Sequence, residues 1–302
     1  MINACQGDGE AKTGEMKVSG FTFVRNARLL GYPAVQSIRS VLPICDEFIV
    51  NVGESEDGTL DMIRAIEDPR IKILSTKWNE NLLYRGFVYG QQKTIAHYNC
   101  TGDWAFYLEA DEVVHEDDLP NIYDAMERNL DNPEVEALVF DYLHFYVNHV
   151  TYLDSPAWYR RAPRIIRNNI MSFSPKGLLF IVMKDHKRGR YPKAALANAS
   201  IYHYGWVRSE AQMNEKSRQV QKYWNKQYSG ISYGDIDREI LREFKGTHPA
   251  VMKDWLPERP TELRVNEDYR LTTRDRRQRV KMRIERIFGV DLSKKHFKLV
   301  GK

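Results

Sequence analysis

Three carboxylates lie close together in the middle of the chain. Glu109, Asp111 and Glu112 follow WAFYL (104–108), an apolar segment that reads as a buried strand. Side chains alternate along a strand, so Glu109 and Asp111 share a face if the strand continues through them. Two carboxylates on one face suit a hard divalent cation, which takes oxygen ligands. A helix N-terminus also favours acidic residues, but that explanation fits the following HEDD better than it fits this pair.

A histidine near residue 200 is the second candidate for metal chemistry. His203 lies within IYHYGW (201–206), between two tyrosines. A histidine in aromatic surroundings is commonly a packed, hydrogen-bonded core residue. Imidazole is also a metal ligand, and it suits Mn²⁺ better than Mg²⁺. The residues alone leave both interpretations open.

A polar segment follows another strand-like stretch. VGESEDGT (52–59) comes after EFIVN, and its Asp57-Gly58-Thr59 has the residue types of a turn that caps a helix. Capping alone accounts for these three residues. The position after a strand also places the segment, including Glu54, where a ligand of a parallel sheet would bind.

The elements that must position these residues alternate between strand and helix. In the first half, strands are predicted at 21–25, 47–52, 70–75 and 103–110, with helices at 33–42 and 57–66 among them. This alternation predicts a mainly parallel sheet flanked by helices, with ligands at the carboxyl ends of the strands. Later segments predict a helix over 116–129, strands at 137–148, 163–168, 178–183 and 199–206, and a mostly helical, polar region from 209.

The charge of the chain is unevenly distributed. The 302 residues carry a net charge of +4, but residues 270–302 contribute +9, which leaves −5 for the rest. Three widely separated cysteines, Cys5, Cys45 and Cys100, argue against a disulfide framework and favour a reducing cytosol. No apolar run approaches the roughly 20 residues that span a bilayer. The polar N-terminus lacks the hydrophobic core of a signal peptide, so we expect a cytoplasmic protein.

Three motifs together carry a resemblance to a known family. FTFVRN (21–26), EFIVNVGESEDGT (47–59) and GDWAFYLEADEV (102–113), in this order, resemble family 2 glycosyltransferases with the GT-A fold. The resemblance covers roughly residues 18–205. Glu109-Ala110-Asp111 resembles the family's DxD motif, and SEDGT its Ser-x-Asp-Gly-Thr. It implies transfer of a sugar from a nucleotide-sugar donor to a glycan or lipid-linked acceptor, with Mn²⁺ or Mg²⁺ holding the diphosphate.

The resemblance also implies roles for individual residues. The donor would be bound by Arg25, Asn26, Glu54, Asp57, Lys93 and Glu109. The metal would be bound by Asp111, Glu109 and His203. Asp111 would then have a catalytic role, because its metal acts as a Lewis acid on the leaving diphosphate. Val52, beside Asn51, stands where the family usually has an aspartate that contacts the base, and a glutamate begins the DxD motif.

Inverting transfer needs a carboxylate that takes the proton of the acceptor hydroxyl. In the family this residue lies well downstream of the DxD motif. We predict that Asp185, in VMKDHKRGRYP, is this catalytic base, with Asp154, in TYLDSPAWY, as the second candidate.

A basic helix is predicted near the C-terminus. TTRDRRQRVKMRIERIFGV (272–290) has Thr272 as its N-cap and Gly289 as its C-terminal stop. Val280, Ile284, Ile287 and Phe288 make one apolar stripe. The stripe either packs on the catalytic domain or rests on an anionic membrane, where a lipid-linked acceptor would be found. The second interpretation places the protein at the inner face of the membrane.

The predicted organisation has three parts. They are a polar tail (1–17), a GT-A domain (18–207) and a helical, basic C-terminal extension (208–302). The domain would divide into a nucleotide-sugar-binding half (18–115) and an acceptor half (116–207).

Two other functions compete with sugar transfer. A nucleotidyltransferase usually has a Gly-rich phosphate loop, which FVRNARLLGYP lacks. A nucleic-acid-binding protein would use the basic C-terminus, but no recognised motif accompanies it, so we expect no nucleic acid partner.

Overall fold

The computed structural model of the protein describes residues 15–224, 228 and 230–300. Cys5 and most of the predicted N-terminal tail lie outside these residues. Within the described part, eleven strands form one mixed sheet and three short strands form a second. The predicted α/β class, with a mainly parallel first half flanked by helices, is confirmed. Cys45 and Cys100 are buried free thiols. None of the described helices is long and apolar enough to cross a bilayer.

The first half of the chain forms the parallel part of the main sheet. Its elements are β1 (Val18–Val24), α1 (Ala34–Val41), a 3₁₀ helix (Leu42–Ile44), β2 (Glu47–Gly53), α2 (Thr59–Arg64), β3 (Ile71–Thr76), α3 (Phe87–His97) and β4 (Trp104–Tyr107). β4, β1, β2 and β3 are adjacent in that order and parallel. β1, β2 and β4 are almost completely buried, which explains why each reads as a nearly continuous apolar run.

The middle of the chain adds parallel and antiparallel strands to the main sheet, and it also forms the three-stranded second sheet. Its elements are β5 (Glu112–Val114), a 3₁₀ helix (Glu116–Asp118), α4 (Leu119–Arg128), β6 (Ala137–Tyr146), β7 (Thr151–Leu153), β8 (Arg161–Arg167), β9 (Ser172–Phe173), β10 (Ile181–Met183), β11 (Gly189–Arg190) and β12 (Lys193–Trp206). β12 runs antiparallel to β5 and parallel to β6. In this register His203 lies opposite both Glu112 and His144.

The C-terminal region joins the same sheet. Its elements are α5 (Glu210–Gln221), 3₁₀ helices (Lys222–Trp224, Arg238–Ile240 and Ala250–Met252), β13 (Leu241–Glu243), α6 (Thr273–Phe288) and β14 (Lys298–Leu299). β13 pairs with β7 and β14 pairs with β12. The described chain between α5 and α6 is mostly irregular, although the sequence predicted mostly helix. Pro249, Pro257 and Pro260 explain part of this difference, because proline interrupts helices.

Candidate active site

A cavity of about 460 Å³ opens at the carboxyl ends of β1 and β4. One wall is aromatic and the other is polar. The aromatic wall includes Phe23, Trp78, Tyr89, Tyr223 and Trp224, with Arg25 beside them, and the polar wall includes Asn26, Glu109, Asp111, His203 and Lys216. Five of the residues predicted from the sequence to act at the site therefore line one cavity.

Asp111 and His203 are brought together by strand pairing. The backbone N–H of Tyr204 donates to the carbonyl of Asp111 at 2.8 Å, which fixes β12 against the acidic turn. Nε2 of His203 lies 3.8 Å from Oδ1 of Asp111. The other carboxylate oxygen accepts a hydrogen bond from Nζ of Lys216 at 3.0 Å. Burial opposes ionisation of Asp111, but the positive charges of Lys216 and Arg208 outweigh it and hold the pKa of Asp111 well below its usual range.

The tautomers of His203 and its neighbour His144 follow from their partners. The carbonyl of Tyr159 can only accept, so Nε2 of His144 donates to it, at 2.8 Å. Burial lowers the pKa of His144 to about 3, so the ring is neutral and its Nδ1 accepts. Nδ1 of His203, 3.0 Å away, therefore donates to His144. Burial also lowers the pKa of His203, so this ring too is neutral near pH 7, and its Nε2 is left with a lone pair that faces Asp111.

This arrangement fits a divalent cation. Two ligand atoms of one ion, each about 2.1 Å from it, lie about 3 to 4 Å apart, and the separation of Oδ1 and Nε2 falls in that range. Metal-bound histidines commonly donate their other N–H to a fixed acceptor, as His203 does. Gly205 leaves the space open, because a Cβ there would stand 2.5 Å from Nε2 of His203 and 2.9 Å from Oδ2 of Asp111.

The protein supplies only part of a complete coordination shell. Within the described ranges, no group of three or more His, Cys, Asp or Glu side chains is arranged to hold a metal. Asp111 and His203 would therefore share the ion with oxygen atoms of a ligand, as Mg²⁺ sites at phosphates do. The ammonium of Lys216, over the ring of Tyr32, adds a fixed positive charge beside them.

Glu109 and Glu112 bind an arginine instead. β4 ends at Tyr107, and the N–H of Glu112, the first residue of β5, donates to the carbonyl of Glu109 at 2.9 Å. Glu109 and Asp111 therefore lie in the turn between two strands, and strand alternation does not apply to them. Fully buried Arg164 donates to both oxygens of Glu112, at 2.8 and 2.6 Å. Its Nη2 is also 3.3 Å from Oε1 of Glu109. Burial and the charge of Glu112 raise the pKa of Glu109 to about 7.

Arg25 belongs to a network at the aromatic wall. Its guanidinium lies over Trp78, with 5.3 Å between Cζ and the ring centroid. It donates to the hydroxyl of Tyr223 at 2.9 Å and to Glu80. Asn26, with a left-handed φ of 53°, turns the chain into the cavity rim. A planar cation and several rings at one end of a cavity suit a flat heteroaromatic ligand.

Glu54 and Asp57, both predicted to bind the donor, are not among the residues that line the cavity. Glu54 is exposed and lies 3.7 Å from Nζ of Lys77. Asp57 accepts from the N–H of Thr59 at 3.0 Å and from that of Leu29 at 2.8 Å. Asp57 therefore links the start of α2 to the loop after β1. Its bond to the N–H of Thr59 is the capping role that its residue type suggested.

Lys93 and Asn51 are also held inside the protein. Nζ of Lys93 is fully buried, 3.8 Å from the ring centroid of Tyr107 and 3.6 Å from that of Phe180. Burial and the charge of Arg164 lower the pKa of Lys93 well below its usual range. Asn51 donates to the backbone and side chain of Gln92, at 3.0 and 2.9 Å. Its amide is therefore engaged within the core.

Both candidate bases lie away from the cavity lining. Asp185 is in the turn between β10 and β11, where it accepts from the N–H groups of Lys187 and Arg188, each at 2.9 Å. Asp154 is paired with Arg160 at 2.8 Å. Of the described carboxylates, only Glu109 and Asp111 line the cavity.

Sequence reasoning missed four residues that shape the site: His144, Arg164, Gly205 and Lys216. His144 stands in a strand-like aromatic run, and Arg164 in the strand-like PRIIRN. Gly205, two residues after His203, offered a signal, because glycine in a strand indicates close approach. Lys216 lies within HYGWVRSEAQMNEK without a pattern that distinguishes it from a surface lysine.

An α/β sheet with a polar cavity at the carboxyl ends of its strands is an arrangement of nucleotide-binding enzymes. The model of the family described as "Glycosyl transferase family 2" matches residues 32–189, which is more than half of the chain. The chain therefore belongs to glycosyl transferase family 2. The resemblance to this family that the sequence motifs indicated is confirmed.

Several solved structures are similar to the chain. TarS (1–349) of S. aureus is 12% identical, with a TM-score of 0.38, over 68% of this chain and 64% of that one. Mannosyl-3-phosphoglycerate synthase of Rubrobacter xylanophilus is 22% identical, with a TM-score of 0.30, over 43% and 41%. Glucosyl-3-phosphoglycerate synthase of Mycobacterium tuberculosis, in complex with Mn²⁺ and uridine-diphosphate-glucose, is 17% identical, with a TM-score of 0.31, over 43% and 44%. The chain thus spans less than two thirds of each. No curated protein matched it.

Proposed function

We propose that the protein transfers a sugar from a nucleotide-sugar donor, with Mn²⁺ or Mg²⁺ held by Asp111, His203 and the donor's diphosphate. One observation carries this proposal. The lone pair of His203 and a carboxylate oxygen of Asp111 face each other at 3.8 Å across a space that Gly205 keeps open. Two electron-rich atoms in that arrangement are stabilised by a cation between them. The bound metal supplies charge neutralisation to the leaving diphosphate.

The remaining groups would orient the donor. The nucleoside would lie against the aromatic wall, with its base near Trp78 and Arg25. The ammonium of Lys216 is 3.0 Å from Asp111 and would contact the diphosphate. Glu109 also lines the cavity and would contact the sugar or ribose hydroxyls. Glu54, Asp57 and Lys93 would support the donor subsite from outside the cavity lining.

The acceptor would be a hydroxyl of a glycan or of a lipid-linked sugar. We propose inversion at the anomeric carbon, as the family resemblance implies. The first-formed product should then have the opposite anomeric configuration to the donor, and its proton coupling constant in an NMR spectrum measures this. We also propose Asp185 as the base, so Asp185→Asn should slow transfer without weakening donor binding.

Ligand-dependent melting tests the proposal. Nucleotide sugars should raise the melting temperature of the protein more with Mn²⁺ than without it, because a ligand stabilises the state that it binds. Asp111→Asn should abolish the Mn²⁺-dependent part of the shift and the transfer activity, and leave the fold intact. Asp124→Asn, on the exposed face of α4, is the matched control. A full Mn²⁺-dependent shift in Asp111→Asn would contradict the metal assignment.

A further inference from the structure

The face of α6 that packs on the protein is polar. Nε and Nη2 of Arg279 donate to the carboxylate of Asp237, at 2.8 and 2.7 Å. Glu285 accepts from Arg160 at 2.8 Å. Met282 is the buried residue of this helix. Ion pairs therefore hold α6 in place, whereas a surface helix ordinarily packs through its apolar face.

The apolar stripe of α6 (Val280, Ile284, Ile287 and Phe288) faces outward. Ile287 is 73% exposed and Phe288 is 69% exposed, and the two other residues are also exposed. The exposed apolar surface continues past Gly289 to Val290 and Leu292. Of the two interpretations that the sequence left open, packing of the stripe on the catalytic domain is therefore wrong, because ion-paired side chains take the inward positions. A contiguous apolar patch of this kind marks an interaction site.

Basic side chains border the stripe on both sides. Helical spacing places Arg276 and Arg283 along one edge and Arg274 and Lys281 along the other, and all four are exposed. An apolar centre with cationic edges matches an anionic lipid surface, where acyl chains lie beneath charged headgroups. A second copy of the chain would bring like charges together at both edges. Nucleic acid would pair with the charges and leave the apolar stripe in water.

We propose that α6 docks the enzyme on an anionic phospholipid membrane, with the apolar stripe inserted at the level of the headgroups. The proposal goes beyond the sugar-transfer function and does not depend on it.

Co-sedimentation of the full chain with vesicles is the test. The protein should sediment with vesicles that contain phosphatidylglycerol, sediment less with phosphatidylcholine alone, and be released by high salt. Removal of the whole helix is unsuitable, because it would also expose Arg160 and Asp237. The double variant Ile287→Ser/Phe288→Ser changes only exposed side chains and should weaken vesicle binding at least about tenfold. Arg276→Gln/Arg283→Gln should weaken it and reduce its salt dependence.

Met171→Ser is the matched control, because Met171 is an apolar residue that is 51% exposed on another surface. It should bind vesicles as the unaltered protein does. The proposal fails if the unaltered protein stays in the supernatant at low salt, or if the Ile287/Phe288 variant binds equally well. It also fails if light scattering shows a dimer that this double variant dissociates. Equal melting temperatures of all variants would establish that the fold is intact.

Discussion

The Nδ1 atoms of His144 and His203 lie 3.0 Å apart, and Nε2 of His144 donates to the carbonyl of Tyr159 at 2.8 Å. This chain of two hydrogen bonds begins at a backbone carbonyl, whose role is fixed, and ends at the cavity. Each partner determines the donor or acceptor role of the next one. The backbone carbonyl of Tyr159 thereby determines which nitrogen form His203 presents to Asp111.

The first prediction concerns His144, which positions His203. In His144→Phe, Nδ1 of His203 loses its acceptor, and the ring can then carry its proton on Nε2. We expect Mn²⁺ affinity to fall about 10- to 100-fold, which is usual when the partner of a metal-bound histidine is removed. His144→Gln keeps an acceptor and should lose less. A titration with Mn²⁺ alone, detected by electron paramagnetic resonance, measures the Mn²⁺ affinity of each variant independently of transfer activity.

The control for this prediction is His149→Phe, because His149 lies outside the cavity lining and contacts His248. It should bind Mn²⁺ as the unaltered protein does. If His144→Phe keeps its melting temperature and its Mn²⁺ affinity, the hydrogen-bond chain has no role in metal binding.

The second prediction concerns Gly205. Its backbone does not need glycine for a left-handed φ, so alanine is tolerated by the backbone. The new methyl group would occupy the space between His203 and Asp111, 2.5 Å from Nε2. Gly205→Ala should therefore abolish Mn²⁺-dependent stabilisation by nucleotide sugars. Gly230→Ala is the control, because among the described residues its new methyl group would meet only the hydroxyl of Tyr228, at 3.9 Å. Unchanged Mn²⁺ dependence in Gly205→Ala would place the cation elsewhere.

The sequence predicted the central strands well for a physical reason. β1, β2 and β4 are buried, so each is a short apolar run bounded by polar residues. β12 was predicted to begin at 199, but it begins at Lys193. Its first residues were missed because they include three alanines and lack a continuous apolar run. Propensity is weak there, and pairing with β6 decides the structure.

Site residues could be predicted from the sequence only where they lie in a short, recognisable motif. Asp111 stands at a strand end beside other carboxylates, and the family motifs identify it. His144 and His203 meet because β6 and β12 are parallel neighbours, although 59 residues separate them. Arg164, in β8, reaches Glu112, the first residue of β5, although 52 residues separate the two in the chain. Such contacts depend on strand order, which no window of a single sequence contains.

The third prediction concerns the buried ion pair of Arg164 and Glu112. Arg164→Met would leave the carboxylate of Glu112 buried with only the hydroxyl of Tyr142 at 2.9 Å and one backbone N–H. We expect a loss of about 3–5 kcal/mol in the free energy of unfolding. The double variant Arg164→Met/Glu112→Gln removes both charges and should recover part of that loss. Urea denaturation measures all of these values.

Arg161→Met provides the comparison for Arg164. Arg161 is a neighbour in β8 whose ion pair with Asp141, at 2.6 Å, is solvent-exposed. Its loss should cost no more than about 1 kcal/mol. Similar losses in the free energy of unfolding for Arg164→Met and Arg161→Met would show that burial of the Arg164 ion pair does not increase the cost of breaking it.

The last prediction is a pH dependence that originates at Glu47. Its carboxylate accepts from Ser19 at 2.7 Å, from the N–H of Thr101 at 2.7 Å and from Lys72 at 2.5 Å. Burial opposes ionisation, but these donors outweigh it and lower the pKa of Glu47 from 4.5 to about 2. Because the folded-state pKa is the lower one, the stabilisation is complete above about pH 4.5 and is lost as the pH falls toward 2.

Glu47→Gln should therefore destabilise the protein near neutral pH by about 2 kcal/mol, less than the full pKa difference implies because Lys72 is largely exposed. The gap between the two proteins should close as the pH falls below about 4.5, since protonated glutamate and glutamine are then alike. Urea denaturation at a series of pH values measures the gap. Glu127→Gln, on the exposed face of α4, should give only a small gap throughout. A Glu47→Gln gap that stays constant down to about pH 3 would show that the hydrogen bonds to Glu47 do not depend on its charge.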